Sequence, residues 1–180
     1  MDGIDMLIHD HRMVEQLFRD YHSAASDRQR RAVVQILVRE LSKHAAVEEL
    51  VFYPFAGRVL GDQEEIDRHL NEHMTVKRLL AELDRLPKGD ERTDRLMAGL
   101  RTELADHIRE EEGELMPRVR ARVGEEALRL LGHDIKRAKE RAPTRPHPAA
   151  PDRPPALALA APVAAVYDRV RDRMQGRPRT

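Results

Sequence analysis

Residues 44–54 read HAAVEELVFYP and residues 107–117 read HIREEEGELMP. Each is His-x-x-x-Glu with a proline six residues after the glutamate. Residues four apart on an α-helix project from the same face, so each His/Glu pair can reach a common point. The surrounding leucines, valines and phenylalanines share that face, which puts the polar pair on an apolar seam. A carboxylate in that position costs several kcal/mol unless it is paired, protonated or bound to metal.

The two stretches belong to a longer repeat. Aligning His44 with His107 superposes Glu48 on Glu111, Glu49 on Glu112 and Pro54 on Pro117, an offset of 107 − 44 = 63. Aligning His11 with His73 superposes Val14 on Val76, Leu17 on Leu79 and Phe18 on Leu80, an offset of 73 − 11 = 62. Each half therefore reads as a helical hairpin, and a pseudo-twofold would bring equivalent residues together on one axis.

Four amphipathic segments follow from the same rhythm. The first runs from about Gly3 to Tyr21 along Ile4, Leu7, His11, Val14 and Phe18. Ser26 or Asp27 can cap the second, which carries Leu37, Leu41, His44, Glu48, Val51 and Phe55. Asp62 can cap the third, with Ile66, His69, His73, Val76, Leu80 and Leu83 inward. After the turn Pro87-Lys88-Gly89-Asp90 the fourth presents Met97, Leu100, Leu104, His107, Glu111 and Leu115. The fold expected is all-α, an antiparallel up-down four-helix bundle over residues 1–122 with a C-terminal extension. In the extension, residues 123–141 form a short packing helix and 142–156 a Pro-rich linker holding six of the chain's 11 prolines. Residues 157–180 read as a basic amphipathic helix or tail, in which Pro162 can start a helix with Val163, Val166, Val170 and Met174 on one side.

Composition narrows the function. Of 180 residues 36% are charged and only 3% aromatic, which suits exposed helices. No apolar run approaches the roughly 18 residues of a membrane span, and the N-terminus lacks a basic region followed by an apolar stretch. Cysteine is absent, which excludes disulfides, thiolate zinc sites and iron–sulfur clusters and fits a cytoplasmic setting. The net charge of zero divides into +4 over residues 142–180 and −4 before them. A basic tail can touch nucleic acid or an anionic surface, but seven scattered arginines with almost no aromatics are weak support for either, and a solvated tail is expected.

The candidate metal ligands are His11, His44, Glu48, His69, His73, His107 and Glu111, all on the apolar seams. Imidazole and carboxylate without thiolate suit iron, manganese or zinc. His69 lacks a counterpart in the first half, where position 7 is Leu. Glu49 and Glu112 flank the seam and are expected to hydrogen-bond ligands rather than bind metal. Tyr21 and Tyr53 are expected to pack in the core or at its rim, within reach of the cluster. His9, His22, His133 and His147 have no partner at ligand spacing.

DHRMVEQLF from Asp10, HAAVEELVFYP from His44, EHMTVKRLL from Glu72 and HIREEEGELMP from His107 together resemble the hemerythrin-like HHE cation-binding domain, over about residues 1–120. The resemblance implies two non-haem iron ions bridged by an oxo or hydroxo group, with Glu48 and Glu111 as bridging carboxylates. It implies that His69, His73 and His107 hold one iron and His11 and His44 the other, which keeps an open position for dioxygen or peroxide. In the oxygen carriers of that family the last ligand is an Asp five residues after its His, whereas here Glu111 follows His107 by four. The function expected is binding or sensing of dioxygen, peroxide or NO. The alternatives are a catalase-like or NO-handling di-iron oxidoreductase, iron storage, and a metal-stabilised interaction module. The C-terminal helix is expected to dock on the bundle, to pair with another chain as a homodimer, or to fold only on binding a protein partner.

Overall fold

A computed structural model describes residues 1–154 and 156–177, and no strand occurs among them. The four long helices of the bundle are α1 (Gly3–Ser23), α2 (Asp27–Val47), α4 (Gln63–Arg85) and α5 (Arg92–Glu110). The short helices α3 (Tyr53–Leu60) and α6 (Met116–Arg122) continue α2 and α5 past single π-helical turns at Glu48–Phe52 and Glu111–Leu115. Outside the four-helix repeat lie α7 (Glu125–Arg141) and α8 (Ala156–Met174).

The starts of three long helices follow from side-chain caps. Asp2, Ser26 and Asp62 accept from the backbone N–H groups of Asp5, Gln29 and Glu65, satisfying donors that a helix leaves unpaired. Between α3 and α4 the chain reverses at Gly61, whose φ of 70° is open to glycine at little steric cost.

The π turns have a local cause. A proline inside an α-helix removes one hydrogen bond and its ring collides with the carbonyl four residues back. Here each helix widens just before its proline: the N–H of Tyr53 donates to the carbonyl of Glu48, and that of Met116 to Glu111. Both widened turns begin at the glutamate of a His-x-x-x-Glu pair, so the repeat extends to the backbone.

Two apolar clusters fill the bundle. One gathers Ile4, Leu7, Val47, Phe52, Ile66, Leu115 and Ile135, and the other Val14, Leu37, Leu41, Val76, Leu80, Leu100 and Leu104. The polar seam residues form a layer between them. Helix α7 closes the first cluster with Leu128, Leu131 and Ile135. Its approach to α1 is tight enough that a Cβ added at Gly3 would lie 2.6 Å from Leu131 Cγ, so this crossing requires a residue without a side chain.

The C-terminal extension differs from expectation. Helix α8 begins at Ala156, so Pro162 lies inside it rather than at its start. Its buried face is Leu157, Ala161, Ala165, Asp168 and Asp172, whereas Val163, Val166, Val170 and Met174 face solvent. The reason is polar. Asp168 accepts from the backbone N–H groups of Thr144 and Arg145, and its carboxylate lies 3.0 Å from His147 Nε2. Asp172 accepts from Thr144 and Arg145 side chains, and Arg145 also reaches Asp84 at the end of α4. Anchoring the Pro-rich segment through buried hydrogen bonds turns the aspartate face inward and leaves the apolar stripe outside.

Candidate metal centre

The structure brings all seven predicted residues into one buried layer: His11, His44, Glu48, His69, His73, His107 and Glu111. Each comes from a different turn of α1, α2, α4, α5 or the two π turns. Three overlapping groups have donor atoms close enough to share an ion: His11/His44/Glu48/Glu111, Glu48/His73/His107 and His69/His107/Glu111. Glu48 and Glu111 each belong to two groups, and they face His residues of both hairpins.

The five imidazoles are oriented alike. Their Nδ1 atoms face outward to carboxylates: His11 to Glu112 at 2.8 Å, His44 to Asp10 at 3.4 Å and His73 to Glu49 at 3.0 Å. His107 and His69 share Glu72, at 2.8 and 3.3 Å. A carboxylate on Nδ1 holds a proton there and leaves Nε2 as the inward-facing nitrogen that a metal could take. The Nε2 atoms accordingly converge, 3.2 Å apart in His11/His44 and again in His73/His107.

Glu49 and Glu112 therefore act as expected, on histidines of the opposite hairpin. Asp10 and Glu72 were not singled out in the sequence, although they precede His11 and His73 at the same 72 − 10 = 62 offset. Adjacent residues on a helix do not face each other, and each acid reaches a histidine of the next helix instead. Two lysines complete the surround: Lys77 donates to Glu49 at 2.7 Å, and Lys139 of α7 to Asp10 at 2.6 Å.

Tyr53 is fully buried in the layer. Its hydroxyl donates to Glu111 Oε1 at 2.9 Å and lies 2.9 Å from His73 Nε2. Tyr21, by contrast, sits in the far cluster, where it donates to Asp94. His9, His22 and His133 are exposed, and none joins the layer.

Charge in the layer is unevenly compensated. Burial disfavours ionised His44, but the Glu48 and Asp10 carboxylates outweigh it and push its pKa up to about 10. His73 is likewise opposed by burial and carried to about 9 by Glu48 and Glu49. Burial would raise Glu48, yet His44 and His73 hold it well below the usual carboxylate range. Burial first, then the Glu111 and Glu48 carboxylates, drive the Tyr53 phenol well above its ordinary value. Even so, both oxygens of Glu48, Oε2 of Glu111 and Nε2 of His69 are buried without an aligned hydrogen bond among the described residues. Glu48 lies 3.1 Å from His44 Nε2 and 3.2 Å from His73 Nε2, close enough for charge attraction although neither contact is an aligned hydrogen bond. Four buried acceptors without an aligned hydrogen bond in one layer are what a cation would satisfy, and this donor set of imidazoles and carboxylates fits one.

Together, the helical bundle and its inward His/Glu layer define a cation-binding four-helix protein. The model of the hemerythrin HHE cation binding domain matches residues 2–119, and the chain belongs to this family. An uncharacterised hemerythrin-like protein of Schizosaccharomyces pombe is 30% identical, over 97% of this chain and 87% of its own length. A DNA nickase of Nostoc is 28% identical over 76% of this chain, which spans only 39% of that protein. The crystal structure of a hemerythrin HHE cation-binding domain-containing protein from Mycobacterium kansasii superposes with a TM-score of 0.67 at 23% identity, covering 78% of this chain and 86% of the other. That likeness establishes the shared fold.

Proposed function

We propose that this protein holds two non-haem iron ions in the polar layer and uses them to bind or sense dioxygen, peroxide or nitric oxide. The observation that carries the reading is the sharing of Glu48 and Glu111 between overlapping donor groups, with three of their four oxygens lacking a hydrogen bond. His69, His73 and His107 would serve one ion, His11 and His44 the other, and the two glutamates both. The ions would supply an electron reservoir and a Lewis acid at the centre of the bundle.

The chain's own residues set the conditions around them. Asp10, Glu49, Glu72 and Glu112 fix each imidazole tautomer from outside. Leu7, Ile66 and Leu115 on one side and Val14, Leu41, Val76 and Leu104 on the other exclude bulk water from the layer. No described helix is long and apolar enough to cross a membrane. The cysteine-free composition supports a cytoplasmic setting.

A di-iron oxidoreductase, removing peroxide or handling nitric oxide, is the second reading. The Tyr53 phenol favours it, because that hydroxyl is a buried hydrogen-bond donor to Glu111 beside His73, placed to steady charge that develops in the layer.

The test is metal content and the near-ultraviolet and visible spectrum of protein purified from iron-supplied cells. About two irons per chain with an oxo-bridge charge-transfer band supports the di-iron reading. Zinc alone, or no metal after iron supply, overturns it. Catalytic peroxide removal by the loaded protein selects the second reading, and stable ligand binding without turnover selects the first.

A further inference from the structure

The pseudo-twofold relates α1 to α4 and α2 to α5, so the seam between α1 and α5 is the counterpart of the seam between α4 and α2. The two seams differ. Helices α2 and α4 pack closely, whereas α1 and α5 diverge around a groove of about 760 Å³. Its upper end is the Glu112 carboxylate, which bonds both His11 and Arg12, and its lower end continues past Arg101 and Phe18 into a second hollow towards Asp94.

Three positions differ in character between the two halves of the repeat. Ala81 of α4 and Val38 and Ala46 of α2 are buried apolar residues. At the offsets of 62 and 63, their counterparts at the open seam are Arg19, Arg101 and Arg109. Helix α1 contributes Arg19 and α5 contributes Arg101, so two cations line the open seam at positions whose repeat counterparts are buried apolar residues. The groove nevertheless keeps an apolar floor of Val14, Phe18, Leu104 and Ile108.

The charges are not neutralised evenly. Arg12 pairs with Glu15 and Glu112, and Arg109 with Asp106. Among the described residues Arg19 donates only to the neutral Gln16, and Arg101 has no hydrogen bond or ion pair. A trough of ligand-binding size with an apolar floor, lined by two guanidinium groups without carboxylate partners, complements an anionic head with an extended hydrocarbon tail.

We propose that the α1–α5 groove binds a medium-chain fatty carboxylate, with its head on Arg19 and Arg101 and its tail along Val14, Phe18, Leu104 and Ile108. The tail would then lie against the outer wall of the metal layer at Glu112. This site is independent of which metal the layer holds.

The test is calorimetric titration of the full-length protein, as purified, with decanoate below its micellar range. One saturable site per chain is expected, with decanol and butyrate each binding at least about tenfold more weakly, since one lacks the charge and the other the tail. The double variant Arg19→Gln/Arg101→Gln is expected to weaken decanoate by about tenfold or more. Arg122→Gln/Arg137→Gln, on exposed positions of α6 and α7, should leave it unchanged. Ala105→Trp, which places a ring on the groove floor, should abolish binding in a protein whose helical circular dichroism and metal content are retained. No saturable binding, decanol as tight as decanoate, or equal losses in the two arginine pairs overturns the proposal. Preferential binding of an acidic helical peptide over decanoate at the same arginines overturns it in favour of a protein-docking groove.

Discussion

Oε1 of Glu112 lies 2.8 Å from Nδ1 of His11, across the seam between the second and first hairpins. Its repeat counterpart, Glu49, makes the same contact to His73 in the reverse direction. Each hairpin thus orients a histidine of the other, and the layer cannot assemble from one half alone.

Glu49→Gln and Glu112→Gln keep the shape of the side chain but lose the charge that fixes the imidazole. Metal affinity is expected to fall about 10–100-fold in each, read by competition with a chelator, while helix content is retained. Unchanged affinity in both would remove the orienting role.

Replacing His44 or His107 by Ala is expected to lower metal content. In the metal-free protein His44→Ala is also expected to cost about 3 kcal/mol of stability, because Glu48 then loses its nearest compensating cation. His69→Ala separates two ligand sets: iron content drops with the other two if His69 is a ligand, and stays near the wild-type level if it is not.

The stability of metal-free protein is expected to depend on pH through His44 and His73. Their folded pKa values, about 10 and about 9, exceed the ordinary histidine value of 6.5. The stabilisation they give is fully present below about pH 6.5 and is lost as pH rises through 9–10. The melting temperature should therefore decline from neutral to alkaline pH. Metal loading should reverse this trend, since ligation requires neutral imidazoles and releases protons. A flat profile for the metal-free protein would show that the histidines are not charged there.

Tyr53→Phe removes the hydroxyl that donates to Glu111 without changing the ring. A loss of about 1–3 kcal/mol is expected in the metal-free protein, as a buried carboxylate oxygen loses its donor. If the protein is an oxidoreductase, peroxide turnover should fall while metal content holds. A variant as stable and as active as the parent would reduce Tyr53 to packing.

Much of this molecule is written in local sequence. The 3.6-residue rhythm around Leu7, Leu41, Val76 and Leu104 specifies four helices, and the seven His and Glu residues fall on the same stripes because a seam position is a property of spacing along one helix. The repeat of His44–Glu48 in His107–Glu111 further implies that the two halves meet at one centre. Outer carboxylates were harder to read. Glu49 and Glu112 stand beside the seam and were expected to orient ligands, whereas Asp10 and Glu72 reach histidines on neighbouring helices. That contact depends on helix rotation, which no single helix records.

The sequence by itself determined the helices, the inward faces and the chemistry of the donors, because hydrophobic period, capping residues and residue type act within a few turns of chain. Only the tertiary structure decided that Tyr53 enters the layer, that α8 turns its aspartates inward and its valines outward, and that the α1–α5 seam stays open while its counterpart closes. Those outcomes hinge on which side chains meet across helices. There, a buried hydrogen bond satisfied between elements outweighs the apolar preference of a stripe, and that balance is struck only when the elements pack.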